Sequence, residues 1–161
     1  LWACDLPSLE EQLPDIGTPA IRSHHLDKAT DLVIISYANG FYLSVQAQLQ
    51  LAAQGIAATV LDLRYLVPLH IDKIAKALGQ TQKVLIVDEC RRRGSLSVEL
   101  FTALHEHKPN WYQLSRLCAQ DSFIPLGSAA YTVLPSVAQI IEQATLLLGE
   151  NKQQPKLEQV G

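Results

Sequence analysis

Acids and arginines stand side by side at two points in this chain, and both follow short apolar runs. Asp62 and Arg64 close the run Thr59-Val60-Leu61, while Asp88 and Glu89 close Lys83 to Val87 and lead into Arg91-Arg92-Arg93-Gly94. Asp62 and Arg64 lie two apart, on one side of an extended segment, where a structural ion pair or loop anchor is the expected role. Asp88, Glu89, Arg91 and Arg93 form a candidate polar cluster for a carboxylate or phosphate, although mutual neutralisation at a surface explains them as well. Tyr37-Ala38-Asn39-Gly40 could aim backbone N–H groups at an anion from a helix start. It lacks both GxGxxG and a Walker lysine, so a tight turn is the expected role and dinucleotide binding is disfavoured.

Other chemistries fit poorly. His105 and His107 are two apart, the wrong spacing for two ligands on one helical face. No GxSxG elbow is present. A phospho-accepting receiver needs paired acids after its first strand, and here that strand ends in Ser36-Tyr37. Cys4, Cys90 and Cys118 are odd in number and far apart, which supports neither a disulfide framework nor a CxxC site. No catalytic, cofactor-binding or metal-ligating residue is assigned.

These residues need a frame, and the apolar pattern supplies one. Runs at 31–37, 57–63, 83–87 and 111–118 read as buried strands, alternating with helical stretches at 42–54, 71–78, from Ser95 through Leu104, and from Pro135 to Gly149. Ser95 is a candidate helix cap. Thr18 to Ser23 reads as a short edge strand. The expectation is an α/β fold, a three-layer doubly wound sandwich with a mostly parallel sheet of about five strands. Ligands in such folds sit at the carboxyl ends of the strands, which is where the polar clusters fall.

The helix at 42–54 carries two apolar stripes, Leu43/Ala47/Leu51 and Val45/Leu49/Ala52. One must face the sheet. The other is free for a second domain or subunit, or for a neighbouring helix, and Leu43, Ala47 and Leu51 are the candidate interface.

The 161 residues, 48% hydrophobic and 18% charged, suit a single domain with a sizeable core. A net charge of −3 argues against nucleic acid or an anionic membrane as partner. No apolar run approaches the roughly 20 residues needed to span a bilayer. A cytoplasmic location is expected. Residues 1–30 read as an extended lead-in arm, 31–149 as the domain, and 150–161 as a disordered tail. The chain starts at Leu1 without any methionine, and is expected to be part of something longer.

Five local matches carry a family resemblance: Leu13 to Ala20; Asp31 to Tyr37; Gly55-Ile56 with Val60 to Arg64 and Val67-Pro68-Leu69; Val87-Asp88-Glu89 with Gly94 and Glu99; and Arg116, Asp121, Ile124-Pro125 and Pro135. The chain resembles the C-terminal domain of transketolase-like thiamine diphosphate enzymes. Within these it is most similar to the β-type half of the decarboxylating component of 2-oxo acid dehydrogenase complexes. It departs from the family in having Ala38 where glycine is usual, His70 where an acid is usual, and no second glycine beside Gly94.

The resemblance implies a non-catalytic assembly or dimerisation domain. Thiamine diphosphate and magnesium would belong to the parent enzyme only, on domains outside this piece. Implied partners are those thiamine-binding domains, in a homodimer or heterotetramer, and an acyltransferase core. A transketolase or deoxyxylulose-phosphate synthase C-terminal domain is the alternative within the superfamily. A freestanding regulatory α/β module is the alternative outside it.

Overall fold

Alternation along the strands decides the layers. In the computed structural model, which describes residues 21–25 and 30–149, strand β2 (Leu32–Ser36) sends Leu32 and Ile34 to one face and Val33 and Ile35 to the other. Strands β3 (Ala58–Leu63) and β4 (Lys83–Arg91) divide in the same way. Val60, Leu85 and Val87 join the first face, and Leu61, Leu63, Val84 and Ile86 the second. A period-2 run apolar on both faces must be covered twice, and the helices supply both covers.

Helix α1 (Ala38–Ala53) and helix α4 (Val137–Gly149) cover the first face through Phe41, Ala47, Leu51, Ile140, Ala144 and Leu147. Helix α2 (Ile71–Leu78) and helix α3 (Leu96–His107) cover the second through Ile74, Leu78, Leu100 and Leu104. Strand β5 (Gln113–Ala119) lies at one edge and strand β1 (Ile21–His25) at the other, in the order β1-β3-β2-β4-β5. All neighbours are parallel except β1 and β3. The expected three-layer sandwich with a mostly parallel five-stranded sheet is therefore the fold.

Several boundaries differ from the sequence reading. The edge strand expected over 18–23 runs from Ile21 to His25, so the sheet reaches into the segment read as an arm. Residues 1–20 and the tail from 150 lie outside the described residues. Strand β4 continues past Val87 to Arg91, because an irregularity after Asp88 lets the ladder resume at Arg91 opposite Ala119. Helix α1 begins at Ala38, inside the stretch read as a turn.

The candidate interface on α1 is corrected by its burial. Ala47 and Leu51 are fully buried against the sheet, and Leu43 packs at the edge of the same core. They form the inward stripe, so no partner can reach Ala47 or Leu51. Tyr42 and Leu49 are the large apolar residues that α1 leaves exposed.

Two polar details fix the frame. Gln48, fully buried on α1, donates to Ala58 O at 2.6 Å and His24 O at 2.9 Å, while its Oε1 meets His24 Nδ1 at 2.6 Å. One side chain thus ties α1 to both β1 and β3. At α4, Ser136 and Gln139 make a reciprocal cap, Ser136 N donating to Gln139 Oε1 at 3.0 Å and Gln139 N to Ser136 Oγ at 3.3 Å.

Candidate functional site

The chain leaves β2 toward β3 on one side and reaches β4 on the other, so strand order reverses between β2 and β4. Open α/β sheets bind ligands in the crevice at such a switch point. Its walls here are Ser36, Tyr37, Asn39 and Gly40 on one side and Val87, Asp88 and Glu89 on the other.

Three side chains span that crevice. Ser36 Oγ donates to Val87 O at 2.9 Å, Tyr37 Oη to Asp88 Oδ1 at 2.6 Å, and Asn39 Nδ2 to Glu89 Oε1 at 2.8 Å. Gly40 completes the closure: a Cβ there would collide with Ser36 Oγ and force that hydroxyl to move. The switch point is stitched by the protein's own groups.

Asp88 is the centre of this arrangement and is fully buried. Oδ1 also accepts from Cys90 N at 2.8 Å, and Oδ2 accepts from Ser97 N at 3.1 Å, at the first turn of α3. Ser95 occupies the N-cap position but makes no capping bond, and its hydroxyl meets that of Ser97 at 2.9 Å instead. The expected Ser95 cap is replaced by a carboxylate from a neighbouring strand, whose charge also suits the helix N-terminus. Desolvation raises the Asp88 pKa, but the bonds from Tyr37, Cys90 and Ser97 outweigh it and hold the carboxyl below its ordinary value. Burial, and then the adjoining Asp88, push the Tyr37 hydroxyl upward. The pair is therefore a neutral phenol on a fixed carboxylate, with neither group poised to exchange a proton near neutral pH.

The polar cluster expected at 88–93 does not hold together. Asp88 points inward and Glu89 is engaged by Asn39, whereas Arg91, Arg92 and Arg93 are exposed and form no ion pair among the described residues. The separation follows from the pleat: alternate residues of β4 face opposite ways, and the irregularity after Asp88 turns the arginines out. Asp62 and Arg64 do approach, with Nε 3.8 Å from Oδ2, at the end of β3. His107 lies 3.6 Å from Asp72 on the neighbouring helix, while His105 is exposed. No group of three or more metal-ligating side chains gathers among the described residues. At the amino ends of β2 and β3, the other end of the sheet, a cavity of about 410 Å³ is lined by neutral residues, including Thr30, Thr59 and Thr81.

Sequence reasoning singled out the Tyr37 turn for its backbone and missed the role of the Tyr37 side chain. Its phenol reaches a strand 51 residues away, and its only local signal was its position after the first buried run.

Fold and crevice together define a three-layer α/β domain of the transketolase C-terminal type. The chain belongs to the family described as "Transketolase, C-terminal domain", whose pattern matches residues 22–140. The pyruvate dehydrogenase E1 component subunit beta of Staphylococcus epidermidis is 28% identical over 141 residues, covering 86% of this chain and 42% of that protein. The subunit of the same name from Porphyra purpurea is 29% identical, covering 91% and 46%. The chain thus spans less than half the length of these curated relatives. Among solved structures, a split-gene transketolase in the form of an inactive β4 tetramer superposes with a TM-score of 0.69 at 19% identity, covering 81% of this chain and 43% of that one. A 2-oxoglutarate:ferredoxin oxidoreductase from Magnetococcus marinus superposes at 0.60 and 13% identity, covering 83% and 20%. Likeness at these identities speaks for the fold alone.

Proposed function

We propose that this chain is the C-terminal assembly domain of a thiamine diphosphate-dependent 2-oxo acid dehydrogenase of pyruvate or branched-chain type. The parent oxidatively decarboxylates a 2-oxo acid and passes the acyl group to lipoamide. The observation that carries this is the match to pyruvate dehydrogenase E1 beta subunits along 86–91% of the chain.

The domain's own residues do not fit thiamine diphosphate or its magnesium. The switch-point crevice is bridged by Ser36, Tyr37 and Asn39, and the buried carboxylate of Asp88 already accepts three hydrogen bonds. This supports placing the cofactor on other domains, with the present one contributing contacts to them, to a homodimer or heterotetramer, and to the acyltransferase core. A cytoplasmic location accompanies the reading; no helix among the described residues is long and apolar enough to cross a membrane.

The reading frame upstream of Leu1 tests the proposal. A pyrimidine-binding domain with its cofactor-facing glutamate supports it, and a frame without such a domain overturns it. Calorimetric titration of the 161-residue chain with thiamine diphosphate and magnesium should give no micromolar binding.

A further inference from the structure

Past β5 the chain leaves the sheet in a loop whose base is pinned and whose tip is apolar. Gln120 closes the base, its backbone N–H donating to Val133 O at 2.9 Å and its side chain to Thr132 O at 3.1 Å. Within the loop, Ser122 N donates to Gln120 O at 2.8 Å, and residues Gly127–Thr132 form a 3₁₀ turn braced by Thr132 Oγ1 on Ala129 O. A loop tied this way normally buries its large side chains in itself. This one does not: Phe123, Ile124, Leu126 and Tyr131 are 91, 51, 95 and 68% exposed. Burying a phenylalanine or leucine is favourable, so the loop forgoes a sizeable stabilisation in the isolated chain.

Beside the root of this loop lies the basic turn. Arg91 pairs with Ala119 in the ladder, and Arg116 Nη1 donates to Arg92 O at 3.4 Å, which brings the 91–93 turn against the end of β5. All three arginines are exposed. The neighbouring acids leave them unmatched, since Glu89 is held by Asn39, and Glu99 and Asp121 form no ion pair with them. Three cations with no ion pair among the described residues, on a chain of net charge −3, are a local reversal of sign.

We propose that the 123–131 loop and the 91–93 turn form one docking surface for a polypeptide segment of another protein that carries acidic side chains around aliphatic or aromatic anchors. The apolar tip supplies contact area, the arginines supply charge-assisted bonds to carboxylates, and the pinned base lowers the ordering cost of binding. A second copy of the chain is a poor occupant. A two-fold contact through the same surface would gather the arginines of both copies into one interface without adding acids to match them. The inference stands independently of any thiamine-dependent parent.

Panning a random phage-displayed dodecamer library on the 161-residue chain tests it. The enriched peptides should be acidic with at least one large apolar residue, and calorimetry with the best of them should show affinity falling as salt rises. Phe123→Ser with Leu126→Ser, and separately Arg91→Glu with Arg93→Glu, should each weaken binding by about tenfold or more. The arginine pair should also remove or invert the fall of affinity with salt. Circular dichroism checks folding, and the arginine pair carries the test if the apolar pair misfolds. Absence of enrichment, neutral or basic enriched sequences, or binding insensitive to these substitutions overturns the proposal. So does a dimer in sedimentation velocity that Phe123→Ser with Leu126→Ser dissolves.

Discussion

The Tyr37 hydroxyl donates to Asp88 Oδ1 at 2.6 Å, and through that bond the N-cap residue of α1 grips the carboxylate that serves the first turn of α3. Two helices on opposite faces of the sheet are thus referenced to one buried acid. Tyr37→Phe removes a hydrogen bond to a charged group and should cost about 1.5–3 kcal/mol. Asp88→Asn should cost at least as much, because an amide cannot accept from both sides of the site. The double variant should lose clearly less than the sum, and a double-mutant cycle by urea denaturation measures that coupling.

The same pair shapes the pH profile. Asp88 is depressed in the folded state, so its contribution is present above its unfolded pKa of about 3.9 and is lost as pH falls through the lower folded value. Tyr37 is raised, so its contribution is present below about pH 10 and is lost above it, and the buried Tyr112 acts in the same direction. Stability should fall at both ends. Tyr37→Phe should move the acid transition to higher pH and weaken the alkaline one, as melting temperatures across pH would record.

Ala38 and Gly40 make a contrasting pair. Ala38 has φ +49°, a left-handed conformation that costs an L-residue about 1–2 kcal/mol. Glycine relieves that cost but adds chain entropy. Ala38→Gly should stabilise by about 0.5–1 kcal/mol, or roughly 1–4 °C. Gly40→Ala should destabilise by pushing Ser36 Oγ off Val87 O, and adding Ser36→Ala should recover part of the loss. Thermal melts of the variants check both signs.

Tyr112 tests the second core. Its hydroxyl is buried without a hydrogen-bond partner among the described residues, and burial alone raises its pKa. Removing an unsatisfied buried hydroxyl while keeping the ring should be neutral or favourable, up to about 1 kcal/mol. Tyr112→Phe is therefore expected to hold or raise the denaturation midpoint.

The two stripes of α1 can be told apart by one substitution each. Leu51→Asp places a charge in a fully buried position and should prevent folding or cost more than about 4 kcal/mol. Leu49→Asp, at a position 55% exposed, should change stability by less than about 0.5 kcal/mol. Circular dichroism and denaturant midpoints separate the cases.

Which stripe faced inward was the point at which the sequence was least informative. Both have helical spacing and similar apolarity, and the choice depends on the angle at which α1 leaves Tyr37, a tertiary property. Strand and helix order was legible because β2, β3 and β4 are apolar on both faces, a pattern that leaves little choice but crossover helices. The polar edge was legible as a place but not as a set of partners. Asp88 and Arg91 are close in sequence, yet a strand's pleat and one irregularity send them apart, while Asp88 finds a tyrosine from the end of the neighbouring strand. The exposed loop at 123–131 could not be read at all, because an apolar Phe-Ile-Pro-Leu run looks the same whether it is buried or displayed.

The bonds from Ser36 to Val87, Tyr37 to Asp88 and Asn39 to Glu89 join positions 51, 51 and 50 residues apart. Bringing such ends together carries a loop-closure entropy on the order of 3–4 kcal/mol, and that cost is incurred once for all three. Whichever forms first leaves the others nearly free of chain entropy, so this seam should form and part as one cooperative unit. In hydrogen exchange, the amides of Cys90 and Ser97 that it shelters would share a single opening event.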